Sequence, residues 1–265
     1  MNIYHYEFRK YLKSMLIWTF SMVAVLYFYL VLFPNFAEEA SQLEKMMSQL
    51  PEGLLKAFGM NNMNLSNIGG FYNFIFTYII LIGSIFATKL GIDITSKEAR
   101  EKTSDFLLVK PRTRAAILTP KLLTAFTHII ISNIIYMVFA YIGMELFKNE
   151  AYNREVFFLI TLSLLFIQIF LMMLGFLLGT IVKRLKGVLP LALGVVFGLF
   201  VINLLNQTLE DAKYSYLTPF GYFESGYITE NLAYSTPHLW VSIGATVLFI
   251  IASYVVYLKK DVASV

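Results

Sequence analysis

The chain has 265 residues, of which 58% are hydrophobic, 16% aromatic and only 14% charged. That is too little charge to clothe a water-soluble globule of this length, so the composition excludes a soluble domain and points to a protein built into a membrane. With no cysteine there is no disulfide, thiolate metal site or cysteine nucleophile, and the net charge of +4 informs only through its distribution along the chain.

Residues 1–14 place Tyr4, Phe8 and Tyr11 at helical spacing, with Glu7, Arg9, Lys10 and Lys13 between them. The pattern suits an amphipathic helix in the membrane interface, or more plainly a charged lead-in to the first span. No small-residue cleavage site ends the apolar run, which therefore reads as retained rather than as a signal peptide. The first span covers 15–33, enough at about 1.5 Å per residue to cross a core of roughly 30 Å, with Trp18 at the interface and Pro34 as its end. Segment 34–68 is polar and reads as one or two short amphipathic helices outside the bilayer. Its face of Met46, Met47, Leu50, Leu54, Leu55 and Phe58 suits capping of the spans or contact with an amphiphilic cargo.

Span two covers 69–90, and a charged helical elbow follows over 94–118. Thr95 and Glu98 have capping-box spacing, which predicts a helix starting near Ser96. Pro111 stops it, Thr113 caps a second short helix, and Thr119-Pro120 opens the third span, 120–146. Spans four, five and six cover 156–182, 187–205 and 237–258. A KRLK turn joins the fourth to the fifth, which Pro190 interrupts and which carries Gly194 and Gly198 at a spacing that permits close helix approach. Segment 206–236 is aromatic and polar, too irregular for a span, and reads as a loop with short or re-entrant pieces. The expected fold is a single all-α polytopic membrane domain, with six transmembrane helices, an N-terminal interfacial helix, a helical elbow and short outer helices before span six.

Of the 21 Lys and Arg, sixteen fall on the elbow side of this arrangement; Lys45, Lys56, Lys148, Arg154 and Lys213 fall on the other. The positive-inside rule then puts both termini and the elbow in the cytoplasm, with 34–68 and 206–236 outside. Within the spans the groups that ionise near neutrality are His128 and, at an edge, His238. No Asp, Glu, Lys or Arg is expected at a span centre, which argues against proton or ion coupling and makes His128 a packing residue rather than a relay. HExxH, GxSxG and metal-spaced histidines are absent, so no catalytic or metal-ligating residue is nominated; the GxxxxGK[ST] phosphate loop is absent too. Asn73, Thr77, His128, Asn133, Gln168 and Asn203 make a candidate path, uncharged and interleaved with aromatic and methionine side chains, although each taken singly reads more readily as a bridge between helices. An ATP-independent membrane enzyme or lipid-handling protein and an ion-coupled carrier stand as competing functions.

One pattern narrows the choice. Glu101, Thr103, Leu107, Leu108, Pro111, Arg114, Ile117, Leu118 and Lys121 fall in the order E-x-T-x-x-x-L-L-x-x-P-x-x-R-x-x-I-L-x-x-K. This resembles the segment after the second span in the permease subunits of type 2 ABC exporters, although Lys102 stands where a small residue is common. Thr218-Pro219-Phe220 resembles the proline-broken outer helices of the same family. The resemblance implies that the elbow is a coupling helix docked on a separate cytoplasmic ABC ATPase, with Glu98, Arg100, Glu101, Thr103, Phe106, Leu107, Pro111, Arg112 and Arg114 at that interface. It further implies two ATPases, which bind the ATP and Mg, and two permease chains, as a homodimer or related heterodimer. The setting implied is a bacterial plasma membrane, with lipid and no nucleic acid as the other partner, and a peptide, antibiotic or lipid-like molecule as the exported substrate.

Overall fold

The structure is a computed structural model and describes residues 3–47, 66–101, 113–182, 185–209 and 214–259. Among these there is no strand, and six helices are long and apolar enough to cross a membrane. They are α1 (Ile3–Met47), α2 (Ile68–Arg100), α3 (Arg114–Phe147), α4 (Arg154–Ile181), α5 (Val188–Leu209) and α8 (Thr236–Lys259). A 3₁₀ turn (Tyr214–Leu217) and the short helices α6 (Pro219–Tyr222) and α7 (Ser225–Asn231) lie between α5 and α8.

Local chemistry starts these helices where side chains relieve the unpaired amides of a first turn. Asn67 accepts from the Gly69 amide at 2.8 Å, Thr113 from Ala116 at 3.3 Å and Asn153 from Glu155 at 3.0 Å. Thr218 caps α6, with Pro219 in the first turn, where its missing N–H costs nothing. Three proline readings need correction. Pro34 does not end the first helix, because α1 passes through it at an exposed position; the interfacial segment and the first span are one uninterrupted helix. Thr119-Pro120 does not start a helix either, since α3 has begun at Arg114, and the Thr119 hydroxyl bonds back to the Ala115 carbonyl at 2.9 Å. Pro190 falls in the first turn of α5 and does not interrupt it.

The helices pack around a central pair, α2 against α4, which share the most extensive interface and are the most enclosed. α1 and α3 pair on one flank, α5 lies along α2, and α8 lies along α4 with most of its surface open. In a bilayer the tails are as apolar as the side chains, so helix association rests on close packing and polar bridges rather than on water exclusion. The centre shows both devices. Gly91 on α2 and Gly175 and Gly179 on α4 bring the backbones together: a Cβ at Gly91 would overlap the Met172 carbonyl and stand 2.7 Å from the Phe176 amide, and one at Gly175 would overlap the Thr88 carbonyl. Thr95 donates across the same contact to the Phe176 carbonyl at 3.2 Å. A Cβ at Gly194 or Gly198, which share the four-residue spacing, would meet nothing within 4 Å outside its own helix among the described residues.

Candidate functional site

The elbow end of the bundle is the most heavily charged part of the described structure, and its first lesson concerns Thr95. The expected capping box does not form. α2 runs without a break to Arg100, Thr95 is buried inside it, and its one hydroxyl proton is shared between the Phe176 carbonyl and the Gly91 carbonyl one turn back, 3.1 Å away. A threonine hydroxyl satisfied in this way has no reason to open a new helix. The last two turns of α2 therefore stand on the bundle as its extension, burying Ile94, Thr95, Ser96 and Lys97.

Three ion pairs bind this extension to its neighbours, and a fourth runs along it. Lys97 meets Glu7 of α1 at 3.4 Å, with both side chains under a tenth exposed, and its ammonium also lies 4.7 Å from the Tyr6 ring centre. Lys10 of α1 meets Glu101 at 3.1 Å. The hydrogen bond from Lys10 holds the Glu101 carboxyl below the ordinary carboxylate range. Arg100 pairs with Asp93 along α2. Lys121 of α3, 1% exposed, pairs with Glu98 and donates to the Ile94 carbonyl at 2.7 Å. On the other side Arg114 donates to the Leu258 carbonyl at 2.8 Å, and Thr119 pairs with Tyr254 at 2.7 Å, tying the start of α3 to the end of α8. The two ends of the connector are thus fixed on one polar base shared by α1, α2, α3 and α8.

The residues expected at a partner interface divide accordingly. Glu98 is turned inward onto Lys121, and Arg114 is engaged with α8, whereas Arg100 and Glu101 keep side-chain exposures of 29% and 50%. Thr103, Phe106, Leu107, Pro111 and Arg112, with Leu108 of the motif, lie outside the described residues. The motif's later half is buried: Ile117, Leu118 and Lys121 are each 1% exposed or less. Glu7, Lys97 and the ionic role of Lys121 were not foreseen, and nothing in the local sequence pairs residues some ninety positions apart.

The candidate path residues do not share one surface. Asn133 and Gln168 meet at 2.6 Å between α3 and α4, closed inside the chain. His128 is buried with Nδ1 2.8 Å from the Thr124 carbonyl oxygen and its ring 4.8 Å from Phe8, at the α1–α3 contact. Asn203 is buried on α5 near the outer turn, beside Gly221. Asn73 and Thr77, one turn apart on α2, are only half-buried. A bridging role has a measurable consequence. Asn133→Ala strands the Gln168 amide, so the melting temperature of the purified chain should fall by the equivalent of about 1–3 kcal/mol; an unchanged melt with altered transport would instead put Asn133 on a substrate path.

The aromatic segment before α8 is a folded cap. Thr218 donates to the Leu199 carbonyl of α5 at 3.0 Å, Pro219 and Phe220 are buried, and the Tyr234 hydroxyl donates to Leu159 of α4 at 2.7 Å. His238, at the head of α8, is held by Ser215 and Ser235 at 2.9 and 2.8 Å and stacks on Tyr216 at 4.5 Å. Nearby Glu224 has its carboxyl pushed above the ordinary range by burial, with Glu230 adding repulsion.

No curated protein matches the chain. A family model described as ABC-2 family transporter protein matches residues 1–262, which is almost the whole length. The membrane-spanning bundle, the absence of a phosphate loop and the charged connector after the second long helix all fit that match. The chain belongs to the ABC-2 transporter family and is the membrane permease subunit of an ABC transporter, which works with an ABC ATPase.

Proposed function

We propose that this permease moves an amphiphilic or hydrophobic substrate, such as a peptide, an antibiotic or a lipid-like molecule, out of the cytoplasm or the inner leaflet. Energy comes from two copies of a separate ABC ATPase, which carry the ATP and Mg, acting on two permease chains that are identical or closely related. The elbow over 94–118 is the coupling element, with both termini on its cytoplasmic side in a bacterial plasma membrane and with 34–68 and 206–236 outside. The observation that supports this reading best is the shared ionic base of the elbow. A push on a connector whose two ends are held by Lys121–Glu98, Lys97–Glu7 and Lys10–Glu101 reaches α1, α2 and α3 together, as rigid-body transmission requires. The basic residues add support by crowding at that end. Of the candidate path, Asn73 and Thr77 are the two that stay accessible, and a path between two chains would use them.

The test is co-purification of the full chain with the ATPase encoded beside it. Phe106→Asp and Glu101→Lys should each weaken the association by about tenfold or more, as truncating a docked anchor or reversing its charge does. The melting temperature of the chain alone should stay near the wild-type value. Undiminished association and full transport in both variants would reduce the elbow to a connector.

A further inference from the structure

Among the described residues, the ion pairs at the elbow end leave Lys89 of α2 over. Lys89 lies on α2 one turn closer to the membrane core than Asp93, half-buried, and among the described residues the single polar contact of its ammonium is the Ser14 hydroxyl of α1 at 3.5 Å. The nearest carboxylates are already spent among the described residues: Asp93 on Arg100, Glu7 on Lys97, Glu98 on Lys121 and Glu101 on Lys10. Lys13, next to Ser14 in sequence, is exposed and also has no acidic partner among the described residues. A cation on a span-forming helix is expensive unless a counter-charge meets it, and none of the described carboxylates does so here.

What lies beyond Lys89 identifies the missing group. Above Ser14 and Lys89, toward the membrane core, the seam between α1 and α2 is marked by Trp18 with Phe86 at 6.4 Å, then by Tyr29 stacked on Tyr78 at 5.8 Å and 9°. Trp18, Tyr29 and Tyr78 are all half-buried, so the seam is open on its outer side. A hydroxyl and an ammonium group at one level, with the exposed Lys13 next to Ser14 in sequence, an indole one turn deeper and an apolar aromatic track beyond it follow the order of a phospholipid from headgroup to acyl chain. We propose that the seam between α1 and α2 retains one anionic phospholipid, its phosphate on Lys89, Ser14 and Lys13 and its acyl chain along Trp18, Tyr29 and Tyr78. The bound phosphate supplies the charge that α2 lacks, and occupation of the seam joins α1 to α2 beside the elbow. The inference does not depend on the substrate, on the direction of transport or on which face of the membrane the elbow occupies.

The full chain, purified in dodecyl maltoside, is incubated with palmitoyl-oleoyl phosphatidylglycerol or with the phosphatidylcholine of the same chains, and retained lipid is counted by native mass spectrometry. One phosphatidylglycerol should be retained in preference to phosphatidylcholine. Lys89→Gln should lower that retention about fivefold, the share of one basic residue in attracting an anionic headgroup. Lys186→Gln, an exposed lysine at the same end of the bundle but off the seam, should leave it unchanged. Ser14→Glu provides the independent arm, because it gives Lys89 a carboxylate of its own; it should abolish the preference while keeping the chain folded. Glycerol phosphate in excess should fail to displace the lipid, since it lacks the acyl chain. Equal retention of the two lipids, retention unaffected by Lys89→Gln and Ser14→Glu, or displacement by glycerol phosphate would each overturn the proposal, the last by making the site one for soluble phosphates.

Discussion

Alanine in place of Gly91 or Gly175 should destabilise the bundle. Both positions lie where α2 and α4 meet backbone to backbone, and a Cβ at either would overlap a carbonyl oxygen of the opposite helix. A carbonyl cannot rotate aside as the end of a side chain would, so the helices must separate along the most extensive interface in the fold. Overpacking of a well-filled site costs roughly 1–3 kcal/mol, and Gly91→Leu, with a larger group against the same backbone, should exceed that range. Against this stands the gain in helix propensity from glycine to alanine, about 0.5–1 kcal/mol, which is too small to compensate. Gly194→Ala and Gly198→Ala isolate the propensity gain, because the added Cβ meets nothing within 4 Å outside its own helix among the described residues. In a thermal melt followed by size exclusion, the first pair should fall and the second should hold or rise. A Gly91→Ala melt equal to that of Gly194→Ala would mean that α2 and α4 do not approach as closely as the structure has them.

The same pair of glycine motifs shows how far the sequence could be read. Hydropathy alone locates six long helices, since twenty or so apolar residues in a row have few other uses. Which face each helix turns inward is another matter. Gly175-x-x-x-Gly179 and Gly194-x-x-x-Gly198 are indistinguishable as strings, yet the first is filled by Thr95 and the carbonyl of Ile92 while the second is open. The difference arises from the rotation of α4 and α5 about their axes, set by partners far away in the chain. Boundary signals failed for a related reason. Thr95, Pro34 and Pro120 carry local preferences for a helix end, each worth at most a few kcal/mol, and the continuous apolar contacts of α1, α2 and α3 outweigh them. The charge around the elbow was legible, and Thr113 as a cap; that Glu98 faces inward onto Lys121 was not, because its acidic neighbour Glu101 looks the same in sequence and is half exposed.

The Lys121–Glu98 pair leads to the second large effect. Lys121→Met should leave the Glu98 carboxylate enclosed without its cation and the Ile94 carbonyl without its donor, at a cost of roughly 3–5 kcal/mol. Glu98→Gln, which strands the ammonium instead, should cost somewhat less, since the Ile94 carbonyl still accepts from it. The double variant is the informative one. Exchanging a buried ion pair for neutral groups of similar size is often close to neutral in stability, so Lys121→Met with Glu98→Gln should melt within about 1 kcal/mol of the wild type, far from the sum of the single losses. If the double variant instead loses the sum, the two side chains act separately and the pair is not a unit. If stability returns, the pair has another part to play: it fixes the end of α2 against the start of α3, on opposite sides of the elbow. A stable double variant should then associate less well with the ATPase in co-purification, because the docking segment is presented from a base with one fewer fixed point. Unchanged association would assign the pair to packing alone and leave Lys97–Glu7 and Lys10–Glu101 to hold the elbow in register.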